Sequence, residues 1–360
     1  MAPFPQGCHF YLKPKNRRSR CGSGKRAVPG ITSLVITLLP RALRSLLPRS
    51  RRLLLSLLLL TGSCRGSLTE EPFPLLWAPD DSFKHRSMHL YSASSRAYPI
   101  KAWYVVIEPG IHSHVIISPA DKLQSPVEMA QETQACVVIN GGQFRNDYDP
   151  PRHVGLLKAR GSVHEQAIPS VIWEDTRYYV ARGAFGLTDA NRPTIAWILG
   201  GRDQLQQVTE LPRHRLGAPD AKLARQPASA PWLVVEAIGG GPVLVHNGQA
   251  RVTASEEGFW AAGIGQPHPR TAIGYTRDER VILMVVDGRQ EGSPGVNLAQ
   301  LADMMANVGC VAAINLDGGG SSALVANGVL VNRPEGTHEA RAVMSAIGIF
   351  CKLHVPPPGG

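Results

Sequence analysis

The sequence predicts an α+β fold in which a mixed β-sheet core carries few helices. Short runs rich in β-branched and aromatic residues, bounded by Pro or Gly, recur along most of the chain and are typical of strands. Helical periodicity is confined to two segments, 127–134 and 298–308. The 360 residues, 43% of them apolar, are enough for a substantial core in one large domain. The predicted strands are 101–108, 114–118, 135–140, 170–173, 178–181, 194–199, 232–238, 243–245, 272–275, 281–286, 311–316, 322–326, 329–332 and 346–350. Asn327-Gly328 predicts a two-residue hairpin turn, and 202–230 a long loop.

One part of the chain predicts a β-α-β unit. The wholly apolar run 281–286 reads as a strand, and apolar residues at helical spacing follow Asn297, a plausible N-cap. Gly309 is expected to end that helix, and 311–316 reads as a second apolar strand. A crossover of this length favours neighbouring parallel strands joined right-handedly.

Both strands of this unit end in an acid followed by glycine, as DGRQ at Asp287 and as DGGGSS at Asp317. Parallel neighbours end at the same edge of a sheet, so the two carboxylates are expected to lie close together where α/β ligand sites form. Asp317 is the leading candidate for a catalytic carboxylate and Asp287 for its partner. Alternatively, the pair could hold a hard divalent cation, Ca²⁺ or Mg²⁺. The plainest alternative is that each Asp caps a loop and the glycines form a tight turn.

Three polar clusters are candidates for binding phosphate and sugar. Glycine lets backbone amides approach an anion, and hydroxyls add donors, while the planar fork of arginine suits bidentate phosphate binding. The Asn-Gly-Gly cluster follows an apolar strand, and the arginine directly precedes one. The candidates are Asn140, Gly141 and Gly142; Arg270 and Thr271; and Gly318, Gly319, Gly320, Ser321 and Ser322.

The positive charge belongs to the N-terminal segment. The net charge is +10, but residues 1–65 hold 13 of the 38 Lys and Arg and no Asp or Glu, which leaves 25 basic against 28 acidic residues. No basic patch with interleaved aromatics is found, so nucleic acid is not an expected partner. The charge therefore indicates targeting.

Segment 50–64 resembles an export signal, with paired arginines, a short leucine run and small residues before Cys64. The run is too short for a stable membrane anchor, and Cys64 is a candidate for lipidation. We expect an exported protein of the periplasm, cell envelope or extracellular space, with membrane attachment only through this signal or a lipid. The predicted organisation is a leader at 1–65, a linker at 66–82, a catalytic domain at 83–352 and a flexible tail at 353–360.

Three cysteines would remain in the mature chain, Cys136, Cys310 and Cys351. An odd number does not define a disulfide framework. Cys136 and Cys310 lie in apolar strands, so both are expected to be buried. A disulfide between these two is an option that the sequence leaves open.

Five motifs together resemble the phosphodiester glycosidase family. NGGQF, RTAIG, VVDGRQ, NLDGGGSS and RAVMSAIGIF occur in the family's order, and IGGGPVL is similar to its turn before a hairpin. The resemblance covers about 83–352. The family includes an animal enzyme that removes N-acetylglucosamine from a sugar–phosphate diester. The resemblance implies a hydrolase that cleaves between the anomeric carbon of a sugar and a phosphate oxygen, and the signal-like segment adds the expectation that this hydrolase is exported. Its partner would be a sugar phosphodiester or a phosphate-containing glycan.

Two other functions remain open at this point. A metal-dependent phosphodiesterase would cut the P–O bond instead. A non-catalytic envelope lipoprotein would use the same groups to bind anionic polysaccharide. Two acids beside an anion site favour chemistry, because a pure anion binder gains nothing from negative charge nearby.

Overall fold

The computed structural model describes residues 75–95, 97–119, 122–199, 204–211, 214, 216, 228–261 and 263–351. Within these residues the fold is mostly β, with two α-helices, and every strand pairing is antiparallel. Strands are numbered β1 to β24 along the chain. The leader, segment 50–64, Cys64 and the tail 353–360 lie outside the described residues.

The largest sheet has eight strands and positions the candidate site. In spatial order its strands are β1 (Leu76–His85), β2 (Met88–Ser94), β3 (Ala102–Ile107), β20 (Val281–Val286), β19 (Arg270–Thr276), β21 (Cys310–Asn315), β17 (Val243–His246) and β18 (Gln249–Ala250).

The other strands form two smaller sheets and two hairpins. The seven-stranded sheet runs β15 (Ser229–Pro231), β14 (Gln206–Val208), β13 (Pro193–Leu199), β12 (Arg182–Leu187), β16 (Glu236–Gly239), β8 (Leu157–Ala159) and β9 (Ser162–Glu165). The five-stranded sheet runs β23 (Val329–Leu330), β22 (Leu324–Ala326), β5 (Val137–Asn140), β24 (Ser345–Phe350) and β4 (His112–Ile117). The hairpins pair β6 (Phe144–Arg145) with β7 (Arg152–His153), and β10 (Ser170–Trp173) with β11 (Thr176–Tyr179).

The two helices are α1 (Pro126–Thr133) and α2 (Leu298–Asn307). The predicted N-cap of α2 is confirmed: the Asn297 side chain accepts from the Gln300 amide at 2.8 Å, and the Gln300 side chain accepts from the Asn297 amide at 2.9 Å. Gly309, at φ +93°, follows the end of the helix as predicted. The buried face of α2 covers the eight-stranded sheet, because its leucines and methionines share a cluster with that sheet's residues.

The wholly apolar composition of β20 follows from burial on both faces. Val281, Leu283 and Val285 belong to a core shared by the three large sheets, whereas Ile282 and Met284 belong to the cluster under α2. Successive strand residues point to opposite faces, so a strand covered on both sides needs apolar residues throughout.

The predicted unit of neighbouring parallel strands is wrong. β19 lies between β20 and β21 and is antiparallel to both. β19 and β20 are joined by a short turn, which favours antiparallel pairing, and the ten residues of α2, about 15 Å long, can span two strand spacings of about 5 Å each. Since β20 and β21 still run in the same direction, both end at the same edge, beside the start of β19.

Three further expectations change. Residues 76–82, assigned to the linker, belong to strand β1. The predicted loop 202–230 contains strand β14 and the start of β15. A disulfide joins Cys136 to Cys351, next to paired strands β5 and β24, and Cys310 is a free, buried thiol. The predicted turn at Asn327-Gly328 is confirmed, with φ of +49° and +77°.

Among the residues that the structure describes, we find no helix of the length and apolar character needed to cross a membrane.

Candidate active site

Asp317 lies at the edge of the eight-stranded sheet, directly after β21. Its amide donates to the Gly141 carbonyl at 3.0 Å, and its carbonyl accepts from Asn140 Nδ2 at 2.8 Å. The carboxylate accepts from the Ser321 hydroxyl, and the residue is half-buried. Desolvation raises the pKa of Asp317 from its ordinary 3.8 to about 6, against the opposing effects of Ser321, Arg341 and the Gly318 amide. A carboxyl with a pKa near neutrality can take up and release protons at physiological pH.

Asn140 clamps Asp317 in place. Its side chain is fully buried; besides the bond to Asp317, Oδ1 accepts from Thr271 Oγ1 at 2.8 Å and from the Ala323 amide at 3.0 Å. The second Nδ2 contact is the Gly141 carbonyl at 3.4 Å. These bonds join β5, β19 and the loop after β21. Because protein groups fill the hydrogen-bonding capacity of Asn140 and Thr271 is also fully buried, both position Asp317 instead of contacting a ligand directly.

Gly141 and Gly142 allow close approach of backbone segments. A Cβ on Gly141 would lie 2.4 Å from Ser345 Oγ, and a Cβ on Gly142 would lie 2.4 Å from the Gly239 carbonyl oxygen and 2.8 Å from His153 Nε2. The Gly141 amide already donates to the Ser345 carbonyl at 2.8 Å. The glycines therefore serve packing beneath the site.

The glycines after Asp317 form a tight 3₁₀ turn, Gly319–Ser321. The amides of Gly319, Ser321 and Ser322 donate to the carbonyls of Pro269, Gly318 and Gly319 at 2.9, 3.3 and 3.1 Å. These three amides therefore already have carbonyl acceptors, and phosphate binding by the turn stays a prediction. Gly319 has φ of +61°, in the left-handed region that glycine adopts more readily than other residues, which accounts for one of the three glycines.

The two serines of this turn have different environments. Ser321 donates its hydroxyl to Asp317 and accepts from Arg341 Nη2 at 2.8 Å, so it couples the carboxylate to a guanidinium. Ser322 is fully buried and its Oγ lacks a hydrogen-bond partner among the described residues. Ser322 is therefore not accessible to solvent in this structure.

Arg270 is a buried structural arginine. Its Nε donates to the Val296 carbonyl at 3.1 Å, and its Nη2 donates to the carbonyls of Ile264 and Gln266 at 2.7 and 2.8 Å. Desolvation, and then repulsion by Arg289, lowers the pKa of Arg270 to about 10. These bonds fix the loop before β19, and the predicted phosphate contact of Arg270 stays a prediction.

Asp287 is fully buried and cannot reach a substrate. Its Oδ1 accepts from Asn332 Nδ2 at 2.8 Å, both carboxylate oxygens lie 3.1 Å from the Arg333 amide, and its carbonyl accepts from Ser293 Oγ at 2.8 Å. Burial raises the pKa of Asp287, and the hydrogen bonds from Asn332 and the Arg333 amide partly offset this effect. The predicted pairing of Asp287 with Asp317 as catalytic groups is therefore not supported by the geometry.

The same bonds bear on the predicted Ca²⁺ or Mg²⁺. The oxygens of Asp287 face N–H donors, which occupy the lone pairs that a cation would need. No group of three acidic, histidine or cysteine side chains with metal-binding geometry occurs in the described part of the chain. The residues at this edge do not fit a divalent cation held by Asp287 and Asp317.

Three charged residues that were not predicted from the sequence lie around Asp317 and the glycines that follow it. Arg341 reaches it through Ser321, and its guanidinium lies 5.6 Å from the centre of the Phe144 ring. Arg289 is about half exposed beside Gly319 and forms an ion pair with Glu335. We call Asp317, Ser321, Arg289, Arg341 and Glu335 the Asp317 site. Arg289 and Arg341 both stand in motifs that carry the family resemblance, DGRQ and RAVMSAIGIF. These motifs were the sequence signal that could have identified the two arginines as site residues.

The family model described as phosphodiester glycosidase matches residues 133–350. The chain belongs to the phosphodiester glycosidase family. Membership of this family supports a hydrolase that acts on sugar phosphodiesters, and the match includes every residue of the Asp317 site.

Curated phosphodiester glycosidases match a shorter stretch. The N-acetylglucosamine-1-phosphodiester alpha-N-acetylglucosaminidase of Bos taurus is 36% identical over 103 residues, 28% of this chain and 19% of that protein, and the Homo sapiens protein of the same name is 36% identical over 103 residues, 28% and 20%. A SPbeta prophage-derived uncharacterized protein, YomE, of Bacillus subtilis strain 168 is 35% identical over 88 residues, 24% of this chain and 14% of that protein. The aligned part thus spans about a fifth of the length of the mammalian relatives.

Solved structures share the fold of this chain. The catalytic domain of the zebrafish N-acetylglucosamine-1-phosphodiester alpha-N-acetylglucosaminidase, auto-inhibited by its pro-peptide, has a TM-score of 0.50 at 19% identity, covering 79% of this chain and 85% of that one. A hypothetical protein from Synechocystis has a TM-score of 0.51 at 18% identity, covering 77% and 68%. At these identities the likeness concerns the fold alone.

Proposed function

We propose that this protein is an exported hydrolase that cleaves the bond between the anomeric carbon of a sugar and a phosphate oxygen. One observation carries the proposal: a half-buried carboxyl, Asp317, with its pKa raised to about 6, is coupled to Arg341 through Ser321. Family membership supports the reaction class. The printed names of the mammalian relatives make an N-acetylglucosamine-1-phosphodiester the first substrate to test.

The chemistry requires little from an acid catalyst. A phosphomonoester is a fair leaving group, so it departs with the C–O electron pair without full protonation. Arg341 and Arg289 would bind the phosphate oxygens and stabilise the charge that develops on them. The sugar then carries a developing positive charge at its anomeric carbon, which a carboxylate stabilises.

Asp317 would act at the anomeric carbon. As a general base it takes one proton from a water, the hydroxyl adds to the carbon, and the proton is later released to solvent. As a nucleophile it would form a covalent intermediate that water hydrolyses. Both routes give free sugar and a phosphomonoester. Asn140 contributes by fixing the backbone of Asp317, which restricts the carboxylate to one orientation.

Export rests on separate support. Segment 50–64 resembles a signal, and the Cys136–Cys351 disulfide fits an oxidising compartment. Fractionating the cells of an expressing host and detecting the protein in each fraction, with an exported and a cytoplasmic marker protein as controls, tests the export proposal alone. Full-length protein retained in the cytoplasm with reduced cysteines would contradict it.

The test of the reaction is hydrolysis of an N-acetylglucosamine-1-phosphodiester in ¹⁸O-labelled water by the full chain. We expect the label in N-acetylglucosamine and a phosphomonoester as the second product. Label in the phosphate would move the cut to the P–O bond and reject the glycosidase. Asp317→Asn should abolish turnover, whereas Asp175→Asn, on an exposed turn, should leave it unchanged. Binding without turnover across several sugar phosphodiesters would favour the polysaccharide-binding lipoprotein.

A further inference from the structure

Glu335 places a negative charge against Arg289 and on the side of Gly320 that Arg341 also approaches. Its carboxylate forms the ion pair with Arg289 Nη1. A Cβ on Gly320 would lie 2.8 Å from Glu335 Oε2 and 3.6 Å from Arg341 Nη1, so the carboxylate and the second guanidinium both approach one glycine. An anion that binds both arginines therefore lies close to the Glu335 carboxylate.

The backbone holds this arrangement at a cost. Arg289 and Glu335 have φ of +54° and +55°, in the left-handed region that residues other than glycine rarely adopt. Such strain persists where surrounding structure imposes it, and it concentrates at functional sites. Here Asp287 accepts from the Arg333 amide and Gln290 Nε2 donates to the Arg333 carbonyl at 2.7 Å, which anchors the turn that carries Glu335.

Glu335 affects anions of different charge to different extents. At pH 8 the site has two guanidiniums, of Arg289 and Arg341, and two carboxylates, because Asp317 with its pKa of about 6 is ionised as well as Glu335. A phosphodiester carries a single negative charge. A phosphomonoester carries about −1.5 to −2 near neutral pH. We propose that Glu335 is a specificity-determining residue that disfavours phosphomonoesters, including the product of the reaction, relative to phosphodiesters. The inference rests on the proposed function in one respect, that phosphate binds at Arg289 and Arg341.

The size of the effect follows from Coulomb's law. The repulsion by Glu335 is proportional to the charge of the ligand, so its logarithmic effect on binding is twice as large for a dianion as for a monoanion. For a separation of several ångströms in a solvated, salt-screened site, removing the charge should tighten monoanion binding about threefold and dianion binding about tenfold. Dianion selectivity should therefore rise about threefold.

The probes are dimethyl phosphate, a monoanion, and methyl phosphate, a dianion at pH 8. Neither contains a sugar, so their dissociation constants, measured by ³¹P NMR titration of the full chain, do not depend on turnover. Glu335→Gln keeps the size and a hydrogen-bond acceptor for Arg289 while removing the charge. Glu339→Gln, on the same exposed segment, is the matched control for a change in net charge.

We expect Glu335→Gln to tighten methyl phosphate about threefold more than dimethyl phosphate, and Glu339→Gln to change neither. The proposal would be overturned if Glu335→Gln changed the binding of both probes equally or weakened the binding of both. It would also be overturned if neither the wild type nor Glu335→Gln bound the probes. Far-ultraviolet circular dichroism and the melting temperature establish that the variant is folded. Discrimination without any hydrolysis would reject the proposed function alone, whereas hydrolysis without discrimination would reject the role of Glu335 alone.

Discussion

Replacing Asp317 by Asn should stabilise the protein above pH 6 while abolishing turnover. The pKa of Asp317 is raised from 3.8 to about 6, so its ionisation costs about 3 kcal/mol more in the folded than in the unfolded state, at 1.36 kcal/mol per pKa unit. Desolvation outweighs the attraction of Arg341 and the hydrogen bond from Ser321. Asn keeps the shape and an acceptor for Ser321 but has no charge to desolvate.

The sign of the pH dependence follows from proton linkage. The folded state binds the Asp317 proton more tightly than the unfolded state does. The stabilising contribution is therefore complete below about pH 4 and is lost as the pH rises through about 6. Above this window the wild type has lost up to about 3 kcal/mol that Asp317→Asn does not lose.

The assay is denaturant unfolding at pH 4 and pH 7.5 with the disulfide kept oxidised. We expect the two proteins to differ little at pH 4 and Asp317→Asn to be about 2–3 kcal/mol more stable at pH 7.5. Asp287 also has a raised pKa, but it is present in both proteins and cancels in the difference. Asp175→Asn controls for replacing an exposed Asp and should show no such pH-dependent gain.

Two results would refute this reasoning. A stability difference that is the same at both pH values would mean that the carboxyl is not destabilised by burial. Turnover retained by Asp317→Asn would remove the carboxylate from the chemistry. Gain of stability together with loss of turnover is the pattern expected where strain in the folded state serves the reaction.

Three other predictions concern the framework and the metal. Reducing the Cys136–Cys351 disulfide should lower the free energy of unfolding by about 2–5 kcal/mol, measured by denaturation with and without reductant; an unchanged midpoint would contradict it. Gly142→Ala should destabilise by about 1–3 kcal/mol, because the Gly239 carbonyl cannot move away from the added methyl, whereas Gly265→Ala meets no atom within 4 Å and should be neutral in thermal melts. Chelator should not change turnover, since the oxygens of Asp287 already face donors; loss with EDTA and rescue by Ca²⁺ would contradict this.

Local patterns predicted local structure well. The N-cap and end of α2 and the hairpin turn at Asn327-Gly328 depend on residues close in sequence, and each is present. The apolar strand 281–286 was predicted with the bounds of β20. These features need only side-chain periodicity and turn chemistry, which neighbouring residues determine.

Pairing between distant residues was not predictable in the same way. The partner of Cys136 is 215 residues away, and nothing local favours Cys351 over Cys310. The insertion of β19 between β20 and β21 likewise depends on which strands meet, because a ten-residue helix can span one strand spacing or two. Sequence spacing limits such contacts without selecting one.

The two acids show that a sequence motif can locate the edge of a sheet without identifying the catalytic residue at that edge. Asp287 and Asp317 occur in the same context, an apolar strand followed by glycine, and both stand at the same sheet edge. Asn332, 45 residues beyond Asp287, donates to the Asp287 carboxylate, which is fully buried. The Asp317 carboxylate instead interacts with Ser321 and the Gly318 amide of the turn that follows it and with Arg341, and it stays half-buried. The buried acid still acts on the site indirectly, because its bond to the Arg333 amide holds the turn that carries Glu335.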